Sequence, residues 1–391
     1  MAGAIAVVGA GTMGSGIAQV CATAGFETRL TDREESALGR GHARAIGGMG
    51  RLLAKGRLDA DAHAAATERL SAHADLATAI DGAEIVIEAA SEDLAVKQAI
   101  FVALDAATSA DVMLATNTSS LSVAACAEVT GRPERVIGLH FFNPAPLMAL
   151  VEVASTARTN RAVEAQAMSF VQTLGKTAVR SEDSPGFIVN RVGRPYLIEA
   201  VRILEAGSAG VEAIDSALEE AGYPMGPFRL IDLIGLDVDE AINVALHVGL
   251  GDAPRFMPSS LERALIAAGR TGRKVGPGFY GYSPDGPATL DDSDLPEVTD
   301  ARIDAGGIVE RLEMAMINEA YRAVGEGVSS PPDVDTAMRL GAGHPRGPFE
   351  RVDEVGLRHV VERLHALRKE SGPASDEQYE VAPLLWTVAT V

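Results

Sequence analysis

Positive charge is scarce in this chain. Its 391 residues set 34 Lys and Arg against 54 Asp and Glu, a formal net charge of −20 with no dense basic run. Nucleic acid and anionic membrane surfaces, which both need a positive field, are therefore not expected as partners. Long apolar runs are missing as well. No stretch reaches 18 residues and no basic segment precedes the first apolar ones, so neither a membrane span nor a secretory leader is expected, and a cytoplasmic location is. Cysteine occurs only as Cys21 and Cys126, without metal-ligand spacing, which reads as two small buried hydrophobes in a reducing compartment. What is present, 47% hydrophobic and 23% charged residues, describes a soluble globular protein long enough for two or three domains.

The first organised stretch is Ala4-Ile-Ala-Val-Val8, suited to a strand buried on both faces. Gly9-Ala10-Gly11-Thr12-Met13-Gly14 follows at once, and Ile17, Ala18, Val20 and Cys21 then carry a helical apolar face. A second strand, Glu27 to Thr31, ends in Asp32, 18 positions beyond Gly14 (32 − 14). Strand, glycine turn, helix and a following acid are the context that a dinucleotide fingerprint requires. Gly9 serves the tight turn, Gly11 lets a pyrophosphate approach the backbone, and Gly14 lets the helix pack close to the strand. Asp32 would accept hydrogen bonds from ribose hydroxyls and repel a 2′-phosphate, which favours NAD over NADP. Arg33 beside it works against that preference.

Residues 136 to 154 carry the chemistry. Val136-Ile-Gly-Leu139 reads as a strand delivering His140 to its end, and Asn143-Pro144-Ala145-Pro146 must be loop, because proline disfavours helix at and before itself. Glu152 is the only acid between Leu139 and Ala157 and lies in the apolar run Leu150-Val151-Glu152-Val153. A strand there would bury it, and a buried carboxylate needs a partner. The nearest cationic candidate is His140, which makes a His–Glu acid/base dyad. A core histidine and a strand-end glutamate that never meet would leave the same sequence pattern.

Ile85-Val-Ile87 and Val112-Met-Leu-Ala115 read as further strands. They lead into Glu88 through Glu92 to Lys97, and into Thr116-Asn117-Thr118-Ser119-Ser120. Those residues fall at the carboxyl edge of a sheet, where open α/β folds bind ligands; a helix cap by Ser120 or Ser122 accounts for part of the second cluster. Residues 33 to 70 read as helical, broken near Lys55-Gly56-Arg57 and restarted by Asp59. Arg51, Lys55 and Arg57 form a local basic cluster that either holds a phosphorylated ligand or is a solvated helix end. The αβ alternation to about residue 180 specifies a doubly wound sheet. Beyond Ser184-Pro185-Gly186 the chain reads as helical, with a helix from Phe187 to about Ala206 in which Pro195 predicts a kink or an early first segment. A glycine-rich basic loop at Gly272 to Tyr280 and a linker over 283–300 interrupt it.

The helical part occurs twice. Glu199-Ala200 and Gly207 match Glu319-Ala320 and Gly327 at an offset of 120 (319 − 199), and Asp215 matches Asp335. Tyr223-Pro-Met-Gly226-Pro-Phe228 matches His344-Pro-Arg-Gly347-Pro-Phe349 at 121 (344 − 223), and Gly235-Leu236 matches Gly356-Leu357. At the first offset Asn190-Arg191 falls on Glu310-Arg311, so the second copy lacks the asparagine. The second copy is therefore expected to be structural, burying the face that the first would present to a partner subunit.

Gly9-Ala-Gly-Thr-Met-Gly14, Asn117-Thr-Ser-Ser-Leu121, His140-Phe-Phe-Asn-Pro-Ala-Pro-Leu-Met148, Leu150-Val-Glu152-Val and Pro185-Gly-Phe-Ile-Val-Asn-Arg191 stand in the order found in the 3-hydroxyacyl-CoA dehydrogenase family, and the chain resembles that family over nearly its whole length. The resemblance implies a Rossmann-type α/β domain (1–184) followed by two tandem all-α domains (185–284 and 285–391). It implies an NAD-dependent (S)-3-hydroxyacyl-CoA dehydrogenase in which His140 is the base and Glu152 orients it. Ser119 and Asn190 would hydrogen-bond the reacting oxygen or the thioester carbonyl. Asp32, Glu92, Lys97, Asn117, Ser119, Asn143 and Lys274 would contact NAD beside Gly9, Gly11, Thr12, Met13 and Gly14, and Lys55 would meet the CoA nucleotide. The family normally pairs one helical domain with its copy in a second subunit; this chain adds a repeat, so a monomer and a homodimer both remain open. A gulonate- or carnitine-type dehydrogenase would keep the dyad without needing Lys55, and a non-catalytic, crystallin-like member would keep only the fold.

Overall fold

A computed structural model describes residues 3–283, 286–289, 295–298, 303–370 and 378–390. The chain divides into two compact units, Met1–Phe187 and Ile188–Val391. Much of the linker expected over 283–300 lies outside the described residues.

The first unit is built on eight strands: β1 (Ala4–Val8), β2 (Thr28–Thr31), β3 (Leu70–His73), β4 (Ala83–Glu88), β5 (Met113–Thr116), β6 (Val136–Phe141), β7 (Leu150–Ser155) and β8 (Thr177–Glu182). They lie in the order β3-β2-β1-β4-β5-β6-β7-β8. Every neighbouring pair is parallel except β6 and β7. Helices cover both faces. Ile5, Val7, Ile85 and Ile87 join α1 (Thr12–Thr23) and α2 (Glu35–Ala54) in one apolar layer. Their neighbours Ala6, Val8 and Val86 join Phe101 and Leu104 of the helix Leu94–Ala107 in another. Successive side chains thus enter opposite cores, which is why the central strands read as unbroken apolar runs. Cys21 and Cys126 are packed into these layers, and burial pushes both thiols up to about 12.

The helical interruption at 55–57 is present: α2 ends at Ala54, and the next helix, Ala60–Arg69, starts with the Asp59 carboxylate accepting from the Ala62 amide. The helix expected after Phe187 has an early first segment: Val189–Val192 is followed by Arg194–Glu205, with the division at Gly193. Pro195 sits in the first turn of the second, where its missing N–H costs nothing. Among the described residues no helix is long and apolar enough to cross a membrane.

The second unit contains both sequence repeats. A two-stranded hairpin, Tyr280–Ser283 with Gly286–Thr289, departs from helix where the sequence pattern does not announce it. The repeats share their local devices. Asp215 accepts from the Phe228 and Arg229 amides at 2.9 and 3.2 Å, and Asp335 accepts from those of Phe349 and Glu350 at 2.8 and 3.2 Å, capping equivalent helices. The copies also pair reciprocally. Arg191 Nε donates to Glu319 at 2.6 Å, while its counterpart Arg311 donates to Glu199 at 2.9 Å. Equivalent residues Tyr223 and His344 touch each other, ring centroids 5.0 Å apart. Contacts of the form i to j and j to i, with equivalent residues meeting on an axis, are those of an isologous two-fold pair, made here within one chain.

Candidate active site

Parallel pairing brings the carboxyl ends of β1, β2, β4, β5 and β6 to one edge of the sheet. At the end of β1, Gly9 takes φ +101°, and a Cβ there would lie 2.6 Å from the Ala89 carbonyl oxygen. A Cβ on Gly14 would lie 1.8 Å from the Gly9 carbonyl oxygen, so α1 could not pack against the turn. At Gly11 a Cβ would meet nothing within 4 Å, which leaves open approach to the backbone. Gly11 precedes α1 with no side-chain cap, and Thr12 and Met13 form its exposed and half-exposed first turn. Amides presented this way favour an anionic group. Asp32 stands beside them, one carboxylate oxygen fixed by the Ala10 amide at 2.7 Å and the other by the Glu34 amide at 3.0 Å. Arg33 points into solvent with its side chain 83% exposed, near Glu34 at 3.7 Å.

At the ends of β4 and β5 is a network of charge. Glu88 and Lys97 are both fully buried, and the ammonium lies 3.0 Å from each Glu88 oxygen. Glu88 also accepts from Thr116 Oγ1 and the Ala90 amide, both at 2.7 Å. Glu92 lies 3.4 Å from Lys97, and its Oε1 collects Thr118 Oγ1 at 2.5 Å and the Ser119 and Ser120 amides at 2.9 and 3.1 Å. Burial raises the Glu92 carboxyl, but Thr118, Lys97 and the two amides outweigh it and hold it below its ordinary value. Lys97, expected as a cofactor contact, is fully buried between two acids, with its ammonium against Glu88 and Glu92. Asn117 is spent in part on the fold, its Oδ1 accepting from the Phe141 amide at 2.9 Å.

His140 and Glu152 sit opposite each other in the antiparallel register of β6 and β7. Directly paired residues project to the same face, and His140 Nδ1 lies 2.5 Å from Glu152 Oε2. Glu152 is completely buried and His140 is 6% exposed, flanked by the rings of Phe142 and Phe187 with centroids at 4.4 and 5.7 Å. A carboxylate only accepts, so the hydrogen of this bond sits on Nδ1, which leaves Nε2 as the ring nitrogen that can exchange a proton with a substrate. An imidazole held in this way can act as a general base, with the carboxylate as its orienting acid.

A cavity of about 280 Å³ opens between α1, α2 and the loop 143–147. Lys55, Arg44, Arg51, Arg57 and Asn143 line it together with Thr12 and Ser15. Arg44 reaches Ser15 Oγ at 3.1 Å. In an acidic protein, four cations about one cavity beside the glycine turn suit a phosphorylated ligand.

Asn190 and Lys274 belong to the second unit. Asn190 is half-buried in the short helix Val189–Val192, and Lys274 donates to the Ile234 carbonyl at 3.0 Å. Glu88 and Arg44 have no role of their own in the sequence pattern. Glu88 is an acid closing an apolar strand, as Glu152 is an acid within one; Arg44 carries no such mark, being one exposed residue of a long amphipathic helix.

Residues 4–184 match the model of the 3-hydroxyacyl-CoA dehydrogenase NAD binding domain, and residues 186–282 and 306–390 both match that of the 3-hydroxyacyl-CoA dehydrogenase C-terminal domain. The chain belongs to the 3-hydroxyacyl-CoA dehydrogenase family. It is 35% identical to the 3-hydroxyadipyl-CoA dehydrogenase of Escherichia coli, over 97% of this chain and 96% of that one. It is 42% identical to a probable 3-hydroxybutyryl-CoA dehydrogenase of Bacillus subtilis, covering 71% of this chain and 96% of that one. The crystal structure of 3-hydroxybutyryl-CoA dehydrogenase from Escherichia coli superposes with a TM-score of 0.91 at 33% identity, covering 100% of this chain and 98% of that one. The first unit is thus the family's NAD-binding domain, and the open face of Gly11, the uncapped start of α1 and the fixed Asp32 fit the dinucleotide.

Proposed function

We propose that the protein catalyses the reversible oxidation of an (S)-3-hydroxyacyl-CoA to the 3-ketoacyl-CoA. The observation that carries the reading is the buried His140–Glu152 pair at 2.5 Å on the sheet rim. His140 Nε2 takes the proton of the 3-hydroxyl, and Glu152 stabilises the imidazolium that forms. The glycine turn and Asp32 would hold NAD, which would supply the acceptor for the hydride from C3. Ser119, set by Glu92, holds the reacting oxygen; Asn190 does so by its place in the motif Pro185 to Arg191. In the reverse direction the imidazolium returns its proton to the developing alkoxide. Lys55, with Arg44, Arg51 and Arg57, supports CoA rather than a free hydroxy acid as the substrate's handle, because the cavity's charge matches the nucleotide's phosphates.

The test is NADH oxidation by acetoacetyl-CoA, longer 3-ketoacyl-CoA thioesters and 3-oxoadipyl-CoA, with free acetoacetate alongside. The dicarboxylic thioester belongs in the panel because a relative matching nearly the full chain is named for 3-hydroxyadipyl-CoA. Turnover with thioesters and little with the free acid is expected. A preference for free acetoacetate would move the reading to a hydroxy-acid dehydrogenase, and no turnover with any of them would remove it.

A further inference from the structure

Asn190 lies in a helix of four residues, Val189–Val192. One turn cannot hold its own orientation, since so short a helix makes too few hydrogen bonds to offset its nucleation cost. Its direction must come from tertiary anchors. One such anchor is the next residue, Arg191, whose side chain is fully buried. Its guanidinium is gripped by two acids of the second repeat, Glu319 at 2.6 Å and Glu326 at 2.7 Å. Glu319, itself 1% exposed, is steadied from its other oxygen by Arg255 at 2.5 Å. Residues adjacent in a helix point about 100° apart. Fixing Arg191 therefore fixes the bearing of Asn190.

We propose that Glu319 is a positioning residue for the dehydrogenase reaction: the second repeat, which has Glu310 where the first has Asn190, aims Asn190 of the first through Arg191. The idea rests on the function proposed above. Pseudo-symmetry supplies its control. Arg311 and Glu199 form the two-fold-related bridge at 2.9 Å, its acid as buried as Glu319 and its arginine 15% exposed, but beside Arg311 stands Glu310, which accepts from His359 and Arg363 at 3.0 and 2.6 Å. One bridge borders a residue of the reaction and the other borders a surface ion cluster.

The experiment compares full-length Glu319→Gln and Glu199→Gln in acetoacetyl-CoA reduction and in thermal unfolding. Both should lower the unfolding midpoint. Only Glu319→Gln should lower kcat, roughly tenfold or more, with the KM for NADH unchanged. Wild-type kcat in Glu319→Gln, or an equal loss in Glu199→Gln, overturns the proposal. If Glu319→Gln does not fold, Arg191→Lys and Arg311→Lys, which keep the charge and lose the fork, repeat the comparison with the same two outcomes. A wild-type chain inactive on every 3-ketoacyl thioester defeats the function itself; an active one with indistinguishable variants defeats only the positioning role.

Discussion

Glu152 reaches His140 because the one antiparallel step in an otherwise parallel sheet sets them face to face. With β7 parallel to β6, residue 152 would approach a different register and the imidazole would have no buried acid. Replacing Glu152 by Gln keeps the shape and removes the charge that stabilises the imidazolium. His140→Gln removes the base. Both variants should lose kcat by about 10²- to 10⁴-fold while NADH affinity, measured by fluorescence titration, stays the same. Wild-type turnover in His140→Gln would defeat the assignment.

Asp32 is held by two amides with its carboxylate at the end of β2. Asp32→Ala should raise the KM for NADH and lower the NADH-to-NADPH preference, because a repulsion for the 2′-phosphate and two hydrogen bonds to ribose go together. Kinetics with both coenzymes reads this out. An unchanged preference would take the role from Asp32.

The cavity lined by Arg44 and Lys55 makes a prediction about the far end of the substrate. Lys55→Met and Arg44→Gln should raise the KM for acetoacetyl-CoA and leave that for acetoacetyl-pantetheine, which lacks the nucleotide, unaltered. Wild-type KM for acetoacetyl-CoA should itself rise with ionic strength, since exposed charges are screened. A KM for the truncated thioester that moves in parallel would place the nucleotide elsewhere.

Glu199 carries a pH signature. Burial raises its carboxyl, but Arg311, Arg202 and a hydrogen bond from the Tyr379 hydroxyl overwhelm that and bring it to about 2, against an ordinary 4.5. A depressed acid stabilises the fold above its unfolded value and loses that contribution as pH falls through the folded one. At pH 7, Glu199→Gln should be less stable than wild type by about 3 kcal/mol in urea unfolding. The gap should close between pH 4.5 and 2. A gap that stays constant over that range would mean Glu199 is not charged in the fold.

How much of this could be read beforehand follows from where each residue sits. The dinucleotide turn and the His140–Glu152 pair are legible because each violates its surroundings: glycines where a strand meets a helix, an acid inside an apolar run. The edge strands β3 and β8 escape notice, since Leu70-Ser-Ala-His73 and Thr177-Ala-Val-Arg-Ser-Glu182 each have a solvent-facing side that interrupts the apolar pattern. Lys97 is legible as important but not as buried. Position in the helix Leu94–Ala107 does not reveal that Glu88 waits beneath it, and only the packing shows the pair.

The internal two-fold has a consequence for how the helical unit forms. Two subunits that complete each other must find one another at a rate set by their abundance, and they part on dilution. Here the covalent tether keeps the halves together at a fixed local abundance, so Arg191 meets Glu319 and Arg311 meets Glu199 however scarce the protein is. With Glu310 where the leading half has Asn190, the trailing half can change its exposed residues as long as it keeps its acids, its caps and its ring on the axis.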